Sequence, residues 1–108
     1  MDSLQELKNE IDSFVEERDW AKFHTPGNLA KSLSIEAAEL LECFQWNDTD
    51  YSPDAVKDEL ADVTYCCIRL ASVLGLDLRE LVLTKLEKNR EKYPVEKARG
   101  RADKYDRL

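Results

Sequence analysis

The sequence predicts an all-α domain, four helices in a bundle, on three observations. Apolar residues recur at helical spacing through four long segments. No stretch alternates apolar and polar residues as a half-buried strand does. Only three Gly and three Pro punctuate 108 residues. Each segment opens on a start signal. Ser3 followed by Glu6 reads as a capping box for a first helix that carries Leu4, Leu7, Ile11, Phe14 and Val15 and ends near Arg18 or Asp19. Asp19-Trp20-Ala21-Lys22-Phe23-His24 reads as a short aromatic loop that packs on something. Thr25-Pro26, an N-cap followed by proline in the first turn, starts a second helix. Its stripe is Leu29, Leu33, Ala37, Leu40 and Phe44, and it runs to about Trp46, where Asn47-Asp48-Thr49-Asp50 breaks it. Ser52-Pro53 repeats the device for a third helix with Val56, Leu60, Val63, Cys67, Leu70 and Leu74. Gly75 stands where a left-handed residue closes that helix. Asp77 with Glu80 opens a fourth helix through Leu78, Leu81, Val82 and Leu86, finished by Lys92 ahead of Pro94. Residues 1–94 thus form the helical domain, and 95–108 a charged tail that is loosely ordered or held by a partner subunit.

Composition narrows the function. With 16 basic and 23 acidic side chains the net charge is −7, which excludes a generic phosphate-backbone binder, so nucleic acid is not an expected partner. No apolar run approaches the roughly 20 residues of a membrane span. Met1-Asp2-Ser3 carries neither a basic nor an apolar leader, so a cytoplasmic location is expected. Cys43, Cys66 and Cys67 contain no C-x-x-C and sit in apolar periodic runs, as reduced, buried thiols do. Four helices of this size make a marginal core alone. Because the second and third helices also have wide apolar faces, association into a homodimer or a homotetramer is expected.

The chemistry-bearing residues are two acidic pairs. Glu36 and Glu39 lie i, i+3 on the second helix, as do Glu59 and Asp62 on the third. That spacing sets two carboxylates about 60° apart on one helix face. Glu36 sits just beside the stripe of Leu29 and Leu40, and Glu59 keeps the same offset from Val63 and Leu70. If the two stripes pack together, all four carboxylates meet at one edge of the interface. There they repel unless protonated or bridged by a cation. Hard oxygen ligands without His or Cys suit Mg²⁺, with Mn²⁺ as a substitute, and Mg²⁺ commonly shares its shell with phosphates. The chemistry implied is phosphoanhydride cleavage, with a carboxylate free to take a proton from water. A solvated acidic face is the plainer reading of either pair alone. Their matched offset brings the metal site level with that reading.

The other candidates are open to two readings each. Trp20, Phe23 and Trp46 lie at helix ends and either cap the core or form a stacking pocket for a base. His24 beside an N-cap reads as a structural hydrogen-bonder. Lys85, Lys88, Asn89, Arg90 and Lys92 either offset the dipole at the end of the fourth helix or clamp phosphate.

The pattern Glu36-x-x-Glu39 followed by Glu59-x-x-Asp62 resembles that of the all-α nucleoside triphosphate pyrophosphohydrolases, the MazG-like superfamily. Glu17-Arg18-Asp19-Trp20, Phe23-His24, Pro26, Asn28-Leu29 and Phe44-Gln45-Trp46 extend the likeness toward its dCTP pyrophosphatase branch. Asp58 through Val63, Lys85, Asn89-Arg90 and Tyr93-Pro94 continue it. The resemblance implies Mg²⁺-dependent hydrolysis of a (deoxy)nucleoside triphosphate, dCTP or a modified dCTP, to monophosphate and pyrophosphate, as nucleotide-pool house-cleaning. It implies Glu36, Glu39, Glu59 and Asp62 as metal ligands, and Glu39 and Glu59 as catalytic residues. By the same likeness Trp20 and Trp46 hold the base with His24 and Asn28 nearby, and Lys85 and Asn89 meet the phosphates. Two positions depart from dCTP-preferring relatives: Ile11 stands where some carry histidine, and Cys66 where they carry tyrosine, with Tyr65 one step earlier. The alternatives are the same fold acting on dUTP or dATP, and a non-catalytic helical interaction module.

Overall fold

The computed structural model of the chain describes residues 2–108. Five α-helices and two short 3-10 turns follow one another, with no strand among the described residues. The helices are α1 (Ser3–Glu17), α2 (Pro26–Glu42), α3 (Pro53–Val73), α4 (Leu78–Lys92) and the single turn α5 (Val95–Ala98). The chain divides into two compact units, one ending at Leu76 and the other spanning Asp77–Leu108. No helix among the described residues is long and apolar enough to cross a membrane.

Local chemistry accounts for most boundaries. Thr25 Oγ1 accepts from the Asn28 backbone N–H at 3.1 Å and Ser52 Oγ from that of Ala55 at 3.3 Å, each with proline at the first helical position. Asp77 caps α4 by accepting from the Glu80 N–H at 3.2 Å. At the start of α1 the cap is Asp2, not Ser3: its carboxylate takes the Gln5 N–H at 2.7 Å. A charged acceptor one residue earlier satisfies the orphan donor better than the serine hydroxyl. Gly75 adopts φ 69°, and the N–H groups of Gly75 and Leu76 close on Ser72 O and Ala71 O, a Schellman ending to α3. The same arrangement ends α1 with aspartate in the left-handed place. Asp19 has φ 55°, Asp19 N–H reaches Glu16 O, and Trp20 N–H reaches Val15 O.

Beyond the cap of α1, one helix end differs from the sequence expectation. The α-helix α2 stops at Glu42 rather than near Trp46, and residues 43–45 continue as tighter i to i+3 turns through Cys43, Phe44 and Gln45 N–H. Asn47 then accepts from Thr49 and Asp50 N–H at 2.8 and 2.9 Å, a side-chain turn that ends the segment. Within the aromatic loop, Ala21–Phe23 forms a 3-10 turn. The charged tail contains α5, the 3-10 turn Tyr105–Arg107, an Arg101–Asp103 ion pair at 2.8 Å, and Tyr105 edge-on to Tyr93 at 6.2 Å.

In the first unit α3 is the central element, with α2 and α1 packed against it. The core comprises Ile11 and Val15 of α1, Leu29 of α2, and Cys66, Ile68 and Ala71 of α3. Leu7, Leu60 and Leu74, expected on the core stripes, remain exposed. With neighbours on two sides, α3 buries a wider and rotated face than a single stripe predicts. That face includes Arg69, only 7% exposed.

A buried guanidinium needs partners, and Arg69 has two. Its NH1 donates to Asp12 Oδ1 at 2.8 Å and its Nε to His24 Nδ1 at 2.9 Å. Asp12 also accepts from Ser72 Oγ at 2.9 Å and from Lys8 Nζ at 2.8 Å. Burial alone would raise the Asp12 carboxyl, but hydrogen bonds from Lys8, Ser72 and Arg69 hold it below the ordinary carboxylate range. Replacing Asp12 by Ala strands the guanidinium. The expected result is about 3 kcal/mol of destabilisation, read as a lower urea midpoint at unchanged m-value.

Candidate metal centre

The four acids lie on the two helices that pack together. Glu36 and Glu39 project from consecutive turns of α2, and Glu59 and Asp62 from consecutive turns of α3. One carboxylate oxygen each of Glu36, Glu59 and Asp62 falls within 4.8 Å of the others. Glu39, half-buried, is close enough to act on both Glu36 and Glu59. The convergence follows from the offset between the acids and the apolar positions of each helix. Packing the apolar positions carries both pairs to one edge.

This cluster is under electrostatic tension. Glu36 Oε2 and Glu59 Oε2 are shut from solvent without a hydrogen-bond donor. Only a proton shared with a neighbouring carboxyl, or a cation, can satisfy such oxygens. The Glu36 carboxyl is pushed up to about 7, first by a hydrogen bond its protonated form makes with Glu39, then by burial and by the negative charges of Glu39 and Asp62. Burial and then Glu39 push Glu59 up as well. Orphaned oxygens in an all-carboxylate set fit a hard divalent cation such as Mg²⁺, which needs oxygen donors and supplies the missing positive charge.

The remaining candidates fall into different surroundings. His24 is a structural hydrogen-bond acceptor for Arg69, in line with the bland reading of its sequence context. Asn28 Nδ2 donates to Phe23 O at 3.1 Å, tying the loop to the start of α2. Trp20 packs edge-on against Phe14 with centroids 5.6 Å apart. Trp46 is 89% exposed, so within this chain it caps no core. Lys85 belongs to the second unit, lining a shallow hollow of about 420 Å³ with Asp77, Glu80, Leu81, Thr84 and Lys88. Asn89, on the same helix, is half-buried.

Sequence reasoning missed the network of Asp12, Arg69 and Ser72. A sign that Arg69 needs a partner was available, though not of which residues supply it. Arg69 is a lone charge inside the apolar run from Val63 to Leu76, and such a charge is retained in a core only with a partner.

Comparison with known proteins identifies the family. The MazG-like family matches residues 31–108. The dCTP pyrophosphatase 1 of Mus musculus is 38% identical over 115 residues, spanning 98% of this chain and 68% of that protein. Its Homo sapiens counterpart is 37% identical over 116 residues with the same coverage, 98% and 68%. A pyrophosphatase from Archaeoglobus fulgidus, known from its crystal structure, is similar at a TM-score of 0.77 and 40% identity, covering 87% of this chain and 94% of that one. The matched region contains all four clustered acids and spans well over half the sequence. The chain belongs to the MazG-like family.

Proposed function

We propose that the protein is a Mg²⁺-dependent nucleoside triphosphate pyrophosphohydrolase that converts dCTP or a modified dCTP to the monophosphate and pyrophosphate. The observation that carries this reading is the convergence of three carboxylates, with Glu39 beside them and two buried, donorless oxygens among them. The names of the relatives, dCTP pyrophosphatase 1 and a pyrophosphatase, supply the reaction class and the lean toward dCTP.

Glu36, Glu39, Glu59 and Asp62 would hold the ion. When bound, it neutralises phosphate charge and lowers the pKa of a coordinated water. The side chains have their own tasks. Glu36, Glu59 and Asp62 each present one oxygen to a common point. Glu39, outside that trio, orients the attacking water and accepts its proton, while Glu59, the other residue assigned to catalysis, presents its oxygen from the facing helix. Without a cation the same cluster repels a triphosphate, so the site discriminates against unmetallated nucleotide. Trp46 offers an open indole face for a base and Trp20 an aromatic wall braced by Phe14. The roles of His24 and Asn28 beside the base, and of Lys85 and Asn89 at the phosphates, rest on the family resemblance.

A panel of dCTP, 5-methyl-dCTP, dUTP, dATP and dGTP with Mg²⁺ tests the proposal through pyrophosphate release. Release fastest from dCTP or its methylated form is the expected result. A preference for dUTP or dATP would keep the reaction and overturn the base assignment. No release from any member would leave a helical interaction module as the better account.

The active form is proposed to be a homodimer or a homotetramer of two dimers. A groove of about 480 Å³ between α1 and α3, lined by Leu7, Ile11, Leu60, Ala61 and Ile68, supports this, as do exposed Leu81, Val82 and Leu86 on α4. Light scattering should give a mass of two or four times 12.5 kDa. Leu60→Glu should shift it toward one chain, and a monomeric parent protein would contradict the assignment.

A further inference from the structure

The most buried charged residue among those described, Arg69, lies outside the acid cluster. Arg69 NH1 is anchored on Asp12, itself held by Ser72 and Lys8, and Arg69 Nε points at the ring of His24. A guanidinium has donors only and stays charged at every working pH. The nitrogen it contacts, His24 Nδ1, must therefore keep its lone pair. In the neutral ring the proton then sits on Nε2, which has no partner among the described residues.

The contact also reaches the backbone of the loop. His24 N–H closes the 3-10 turn on Ala21 O, and Phe23 O is held by Asn28. Fixing the imidazole thus fixes the segment between α1 and α2 that carries Trp20. The charges around the ring act in one direction. Arg69 faces it from α3, with Asp12 and Lys8 of α1 behind the guanidinium, while Lys22 of the loop is paired with Asp19 at 2.9 Å. Burial first, and then the Arg69 charge, hold the His24 pKa below its ordinary 6.5.

We infer that Arg69 is a positioning residue: it locks His24 in the neutral tautomer protonated at Nε2, and so presents a fixed N–H donor and a fixed Trp20 loop to the nucleoside. The link to the nucleoside rests on the function proposed above; the lock on the tautomer does not. A protonated or inverted His24 would set an N–H against the guanidinium, so the ring has one stable arrangement.

His24 is the only histidine, so its imidazole nitrogens are resolved without assignment in a two-bond proton–nitrogen correlation spectrum of uniformly labelled protein. The parent protein should show an unprotonated Nδ1 and a protonated Nε2 at neutral pH, turning to imidazolium only below the ordinary histidine range. Arg69→Met should give exchange-averaged tautomers and, in the dCTP assay, raise KM about tenfold with kcat changed less than about twofold. Asp12→Asn, which keeps the side-chain volume and loosens the anchor, should shift both readouts in the same direction. It serves as the deciding variant if Arg69→Met melts below the assay temperature. A parent spectrum with Nδ1 protonated, or already averaged, overturns the inference. So does a folded variant that keeps both the parent tautomer and the parent KM. Absence of turnover in the parent would overturn the nucleotide reading alone, because the spectrum reports the tautomer independently.

Discussion

Glu59→Gln is expected to lower nucleotide hydrolysis at saturating Mg²⁺ by at least about 100-fold, with helix content unchanged. The substitution keeps the side-chain volume and removes one charge. Glu59 Oε2 is sealed from water and has no donor, and the one Glu59 oxygen in the cluster lies within 4.8 Å of an oxygen from each of Glu36 and Asp62. An amide placed there offers a neutral oxygen or an N–H, and neither replaces a carboxylate toward a divalent ion. The same change relieves repulsion in the metal-free protein, so the variant should melt no lower than the parent in EDTA and gain less from added Mg²⁺. Far-UV circular dichroism and a turnover assay on one preparation separate these outcomes. Parent-level hydrolysis by Glu59→Gln would remove Glu59 from the metal site.

Without divalent cation, the cluster's contribution to stability is expected to fall as pH rises from about 4.5 to about 7. The Glu36 carboxyl has an ordinary value of 4.5 and a folded value of about 7, so across that window the folded chain binds more protons than the unfolded one. Stability then declines with rising pH. Glu59 is raised too and acts in the same sense. His24 acts oppositely: its folded pKa lies below 6.5, so its contribution is full above 6.5 and is lost as pH falls from there toward the folded value. The carboxyl of Asp12, held below 3.8, keeps its contribution until more acidic conditions. The difference between melts with and without Mg²⁺ isolates the acid cluster. That difference should be small at about pH 5 and grow to about 2.7 kcal/mol at neutral pH when Mg²⁺ is 100-fold above its dissociation constant. A Mg²⁺ effect independent of pH would mean that the ion binds elsewhere.

Much of this was legible in the residues because it depends on local spacing. Thr25-Pro26, Ser52-Pro53 and Asp77 announce their helices through side-chain oxygens that cap whatever the fold around them. Gly75 marks the end of α3 because few other residues accept φ 69°. The end of α1 uses the same geometry, but with Asp19 in the left-handed place the usual glycine signal is absent. The end of α2 was overrun because Phe44 continues the apolar stripe while the backbone tightens into i to i+3 turns, a change that side-chain periodicity does not register.

The acid cluster was legible for a related reason. Its geometry needs only two helices packed along their stripes, and the i, i+3 pairs ride on those stripes. The Arg69 network was not. It requires three elements to meet, α1, the Trp20 loop and α3, and sequence distance carries no sign that Asp12, His24 and Arg69 converge. The exposure of Leu60 has the same origin, since α3 turns toward two neighbours at once.

The most direct test of the central claim is to follow dCTP hydrolysis in Mg²⁺ by phosphorus NMR, with and without EDTA. The account predicts dCMP and pyrophosphate as the only products, and no reaction in EDTA. Formation of dCDP and inorganic phosphate, or cleavage that persists in EDTA, would contradict it.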